Sequence, residues 1–113
     1  MGGKFSQDKG KRFERWFANK LGDALGRKVY RTQQSRGGTT EGSDVVSEPF
    51  SCELKSYAKL GGLIMRALKQ SEKDCKPGYI PVAICKGNRG RPVATMYLDD
   101  WLDFVQEWKE RGE

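Results

Sequence analysis

The stretch GSDVVSEPFSCELKS, residues 42–56, constrains the fold more than any other part of the chain. Two short runs flank Ser-Glu-Pro, and their Val, Phe and Tyr content predicts strands over Asp44–Val46 and Phe50–Tyr57. Side chains alternate along a strand. Phe50, Cys52 and Leu54 therefore share one face, the one expected to meet the core. Glu53 and Lys55 share the other. A hairpin-like return through Glu48-Pro49 brings Asp44 beside Glu53. A small sheet that carries two acids and a lysine on one face is unusual, because unpaired charge within a fold is expensive.

Helical signals bracket these strands. A helix is predicted from Gln7 to Ala24, stopped by Gly26. At about 100° per residue, with Phe13 at zero, Phe17, Leu21 and Leu25 fall at about 40°, 80° and 120°. Glu14 falls at about 100° by the same geometry, inside the apolar stripe. A carboxylate there needs a partner or an outlet to water. A strand is expected over Lys28–Thr32, followed by the polar, Gly-rich loop QQSRGGTTEGS. A second helix fits Leu60 to Cys75, with Leu60, Leu63, Ile64, Ala67 and Leu68 at helical spacing. YIPVAIC and PVATMYL read as strands on either side of a KGNRGR turn, Pro81 pointing to an edge or a bulge. A last helix begins near Asp99 or Asp100, with Leu98, Trp101, Leu102, Val105 and Trp108 as its stripe. The order αβββαββα predicts an α/β fold, a small mixed β-sheet flanked by helices. With 113 residues, one domain spanning 1–113 is expected.

Charge is unevenly spread. Residues 1–36 hold ten Lys and Arg against three acids, whereas residues 37–113 hold eleven against twelve. A basic N-terminal third points to a polyanion partner. A membrane surface is disfavoured, because the basic residues do not lie opposite a strongly apolar exposed stripe. There is no long apolar run and no signal-peptide pattern, so a soluble, cytoplasmic protein is expected. Three scattered cysteines and no histidine argue against zinc and for reduced thiols.

Asp44, Glu53 and Glu14 together raise an electrostatic problem. Two carboxylates about 4 Å apart repel by about 4 kcal/mol at an effective dielectric near 20. Lys55 alone does not neutralise three. Oxygen-only donors suit a hard divalent ion such as Mg²⁺, with Mn²⁺ as a substitute. The blander reading of Asp44, Glu53 and Lys55 is a surface salt-bridge ladder.

The residues also carry a resemblance. SD at 43–44 followed by ELK at 53–55 resembles the D…E-x-K signature of the PD-(D/E)XK nuclease superfamily, although Ser43 stands where that pattern has proline. Glu14 in KGKRFERWFANKLG resembles the first-helix glutamate of archaeal-type Holliday junction resolvases and related phage nucleases. RALKQSEK followed by PVAICK resembles the later part of those phage relatives. The resemblance covers nearly the whole chain. It implies a restriction-endonuclease-like core and a Mg²⁺-dependent, structure-selective endonuclease that resolves four-way DNA junctions by paired nicks. It implies Asp44, Glu53, the Leu54 carbonyl and Glu14 as metal ligands, Lys55 as the catalytic lysine and Gln70 as an active-site glutamine. It also implies Ser35 and Arg36 at the scissile strand, and a homodimer. Lys4, Lys9, Lys11, Arg12, Arg15 and Arg31 are further phosphate-contact candidates, which position DNA without reading sequence. The alternatives are a nuclease of the same superfamily acting on other DNA, as a nickase, repair or restriction enzyme, and a non-catalytic nucleic-acid-binding module.

Overall fold

A computed structural model of the chain describes residues 3–32 and 44–112, with side chains described from residue 8 onwards. Among these residues are three helices and two small antiparallel sheets of two strands each. In chain order these are α1 (Gly3–Leu25), β1 (Val45–Ser47), β2 (Phe50–Cys52), α2 (Gly62–Asp74), β3 (Ala83–Cys85), β4 (Val93–Thr95) and α3 (Leu98–Arg111). The chain divides into two compact units, Met1–Ser56 with Trp108–Glu113, and Tyr57–Glu107.

The core of the first unit is the expected α1 stripe. Phe17, Ala18, Leu21, Ala24 and Leu25 are buried with Val29 and Val45, a spacing of three and four that keeps one helix face inward. α1 starts at Gly3, four residues earlier than its apolar pattern requires. Its end is where the sequence puts it. Gly26 adopts φ +71°, and the Arg27 N–H donates to the Gly22 carbonyl at 3.0 Å. This six-to-one bond with a left-handed glycine is a Schellman cap. The cap brings backbone over Gly22, where a Cβ would lie 2.6 Å from the Arg27 carbonyl oxygen.

After the cap the chain turns back along α1. The strand expected over 28–32 is present as one antiparallel bridge, Arg31↔Val45. β1 and β2 form a hairpin with register Val45↔Cys52, Val46↔Ser51 and Ser47↔Phe50, turning at a cis Glu48–Pro49 peptide. The Arg27 side chain braces this turn, with Nε donating to Ser47 Oγ at 3.1 Å and Nη2 donating to the Glu48 carbonyl. Trp108, in the last turn of α3, meets Phe50 edge-on with ring centroids 5.8 Å apart.

In the second unit β3 pairs with β4 and packs against α2. Its buried residues are Leu68, Ala83 and Val105. Pro81 precedes the β3 ladder, so its missing N–H interrupts no strand pairing. α3 carries Asp99 and Asp100 in its first turn and Lys109 and Arg111 in its last, the arrangement its macrodipole favours. The α2 stripe differs from the expected one. Leu60, Leu63 and Ile64 are exposed, Leu63 at 78%. Ala67 and Leu68 are covered as expected, and Met65 and Ser71 join them on the covered side. Apolar spacing of three or four fits two adjacent faces of one helix, and the Leu68 side is the one covered.

The single mixed sheet expected from the sequence is, among the described residues, two separate antiparallel pairs. Each strand is three residues long. Pro81 falls inside the run expected as β3 and delays its start to Ala83. β2 and β4, in contrast, end at Cys52 and Thr95, short of the expected Tyr57 and Leu98, with no Pro or Gly to stop them.

Two glycines of α1 should respond oppositely to alanine. Gly10 has nothing within 4 Å of a Cβ, so Gly10→Ala should stabilise by about 0.5–1 kcal/mol through helix propensity. Gly22→Ala drives a methyl into backbone and should destabilise by about 1–3 kcal/mol. Urea unfolding midpoints of the two variants check both signs.

Candidate functional site

Three segments of the first unit meet at Asp44. Its carbonyl accepts the Thr32 N–H at 2.8 Å, and its carboxylate Oδ2 accepts the Leu54 N–H at 2.9 Å. β2 ends at Cys52, so Leu54 lies beyond the ladder. The Asp44 side chain supplies the acceptor that a neighbouring strand would otherwise provide.

The last ladder pair is Val45↔Cys52. Continued by one residue, this register sets Asp44 opposite Glu53, and opposed residues of an antiparallel pair project to one face. Burial alternates accordingly: Val45, Cys52 and Leu54 are more covered than Val46, Glu53 and Lys55. Lys55 Nζ lies 3.9 Å from Glu53 Oε2, with the two side chains 64% and 59% exposed. A pair so exposed contributes little stability. Its consequence is placement, with an ammonium and a carboxylate on the open face near Asp44.

Glu14 has found a different partner. Arg31 Nε donates to Glu14 Oε1 at 3.0 Å, and the two side chains are only 24% and 19% exposed. Arg31 is positioned by its bridge to Val45. It shares its strand side with buried Val29, which turns it toward α1. The carboxylate in the apolar stripe is thus neutralised from within the protein. Strand alternation places Arg31 on the side of Val29, but which cation meets Glu14, 17 residues away, is decided by packing.

Among the described residues, no group of three or more His, Cys, Asp or Glu side chains is placed to hold a metal ion. The open face offers two carboxylates, Asp44 and Glu53. Cys52 projects to the opposite face, and burial pushes its thiol pKa up, which keeps it protonated and a poor ligand. An all-oxygen pair suits a hard divalent ion in its chemistry and needs further oxygens from backbone or water to complete a shell.

The other expected site residues are dispersed. Gln70 is exposed on α2 in the second unit, and its Nε2 donates to Asp74 Oδ2 at 2.7 Å. Lys9, Lys11, Arg12 and Arg15 are exposed along α1. Ser35, Arg36 and the side chain of Lys4 lie outside the described residues. No described helix is long and apolar enough to cross a membrane. No family model, curated protein or solved structure matches the chain.

The Asp44 bond has a measurable value. Asp44→Ala leaves the Leu54 N–H without its acceptor and should cost about 1–3 kcal/mol of stability. Asp44→Asn retains a side-chain oxygen and should lose less than half of that. Chemical denaturation of the three proteins at one pH compares them, and equal midpoints would remove the structural role of the carboxylate.

Proposed function

We propose that this chain is a Mg²⁺-dependent, structure-selective DNA endonuclease that hydrolyses phosphodiester bonds and resolves four-way junctions by paired symmetric nicks. Mn²⁺ substitutes for Mg²⁺ in this reading. The observation that carries it is the Asp44 carboxylate, held by the Leu54 N–H, opposite Glu53 with Lys55 beside it. The D…E-x-K resemblance makes this hairpin the centre of a restriction-endonuclease-like core in a single domain. The surplus of cations over residues 1–36 supports a nucleic acid as the partner.

Asp44 and Glu53, with the Leu54 carbonyl, would hold the divalent ion. When bound, the ion supplies Lewis acidity at a phosphoryl oxygen and makes water a better nucleophile at neutral pH. Lys55 donates to negative charge that develops on the phosphate during reaction. The Leu54 N–H fixes the orientation of Asp44. Glu14 belongs to this set only by sharing its carboxylate with Arg31. Gln70 has the most distant claim, because its amide serves Asp74 within α2. Lys9, Lys11, Arg12 and Arg15 hold phosphates along the bound strand. Paired cuts require two active sites, so the working form is a homodimer on branched DNA.

One observation favours a second reading. Glu14 is already neutralised by Arg31, which suits a DNA-binding module whose acids are structural and which does no chemistry.

Labelled four-way junction, linear duplex and single-stranded DNA, each with Mg²⁺ or EDTA, separate these readings. Paired nicks on the junction alone, abolished by EDTA and by Asp44→Asn, are expected. Equal cutting of duplex moves the activity to a repair, restriction or nicking enzyme of the same superfamily. Absence of any metal-dependent cutting leaves the binding module. Glu53→Gln should abolish cutting while DNA binding is retained or tightened, and Lys55→Ala should abolish turnover. If six phosphates are neutralised, log K for duplex should fall against log salt with a slope of about −5. A flat salt response would contradict the electrostatic role of α1. Sedimentation with and without junction DNA reads the dimer.

A further inference from the structure

The first unit contains a second concave surface, lined by none of Asp44, Glu53 and Lys55. A hollow of about 310 Å³ is lined by Arg15, Ala18, Asn19, Val29, Tyr30 and Arg31. Its make-up is unlike that of the Asp44–Glu53 face. Buried Ala18 and Val29 give it an apolar floor. Tyr30, 73% exposed, gives it an aromatic side. Arg15 and Arg31 give it two cations, and Asn19 an amide that both donates and accepts. The lining includes no carboxylate.

These four features match the parts of a nucleotide. A flat apolar floor and a ring suit the face of a base, since stacking on aromatic side chains is strong and sequence-tolerant. An amide suits a base edge, where Asn pairs with donor and acceptor together. Guanidinium groups suit the flanking phosphates. Arg31 commits one N–H to Glu14, and a guanidinium has five. The base must be unpaired, because a base inside a duplex has both faces covered by its neighbours.

Tyr30 is exposed because of its place in the chain. It lies between buried Val29 and the half-buried Arg31, so strand alternation alone turns it outward. The same position would accept any polar residue. A large ring beside two guanidinium groups suits a planar ligand that carries negative charge.

We propose that the hollow between the C-terminal half of α1 and residues 29–31 binds an unpaired nucleobase of single-stranded or branched DNA, stacked on Tyr30, with Arg15 and Arg31 on the adjacent phosphates. This deepens the nuclease reading by naming the feature of its DNA that is recognised, and it rests on that reading only for the identity of the polyanion. Arg31 joins the two surfaces, since it lines the hollow, pairs with Glu14 and bridges to the residue after Asp44.

Binding is read in EDTA, so cleavage plays no part. The probes are a fluorescently labelled single-stranded oligonucleotide and its fully paired duplex of the same length. Tyr30→Ala should weaken binding of the single strand by on the order of tenfold, with duplex affinity changed less than twofold. Tyr30→Phe should bind both as wild type does. Arg15→Ala should weaken both probes and reduce the salt slope by about one. Because Tyr30 is exposed, Tyr30→Ala should keep the wild-type unfolding midpoint. Unchanged single-strand affinity in Tyr30→Ala overturns the proposal, as does an equal loss on both probes. The outcome is independent of the nuclease reading. A protein that depends on Tyr30 for single strands and never cuts DNA keeps the base site and loses the nuclease. A protein that cuts junctions with Tyr30→Ala at wild-type affinity does the reverse.

Discussion

The hydrogen bond from the Leu54 N–H to Asp44 decides how the first unit closes. β1 and β2 are three residues each, and a two-stranded hairpin of that length is marginal by itself. Asp44 adds to it in two directions. Its main chain pairs with Thr32 and so ties the hairpin to the segment that follows α1. Its side chain carries the pairing past the end of the ladder. An unpaired N–H at Leu54 would cost free energy comparable to what the hairpin gains from one of its own bonds. The same bond fixes one oxygen of a carboxylate that the continued register sets opposite Glu53. Structure and candidate chemistry therefore rest on one side chain.

Arg31 is the second point of closure. It neutralises Glu14 inside the unit and is held by Val45, the neighbour of Asp44. A carboxylate on the apolar stripe of α1 is stable because this guanidinium is pre-positioned by strand pairing, not by its own rotamer freedom. Arg27 acts similarly at the other end of the hairpin, on Ser47 and Glu48. Both arginines belong to the basic N-terminal third. Part of a charge surplus that reads as a nucleic-acid footprint is thus used within the protein, and Lys9, Lys11, Arg12 and Arg15 are the cations that stay exposed along α1.

The sequence reads well where one local pattern dominates. The α1 stripe, its Gly26 stop and the hairpin around Glu48-Pro49 follow from helical spacing, a left-handed cap and alternation. The same alternation separates Glu53 and Lys55 from Leu54, and that separation is seen in their burial. It reads poorly where tertiary partners choose between equivalent options. α2 has apolar residues on two adjacent faces, and only packing selects the side of Leu68 and leaves Leu63 outside. The partner of Glu14 is 17 residues away, beyond any local pattern. The strand over 28–32 shrinks to one bridge because its length depends on what pairs with it and not on its own β propensity. Gln70 sits one helical turn from Asp74, a local acceptor that motif matching ignores.

The first unit thus carries two surfaces of opposite electrostatic character. A phosphate approaching Asp44 and Glu53 meets like charge, worth about 4 kcal/mol for each carboxylate at 4 Å and an effective dielectric near 20. Lys55, 64% exposed beside Glu53, offsets only part of this. The Arg15–Arg31 hollow presents no such barrier. A polyanion would therefore meet no such barrier at the hollow or along α1, whereas at the acidic face it would need a counter-charge. On the proposed nuclease reading, the cations and the ring would hold the nucleic acid, and a divalent ion held by Asp44 and Glu53 would supply the counter-charge that a phosphate needs there. Affinity and chemistry would then answer to different residues, and a variant could lose either one while retaining the other.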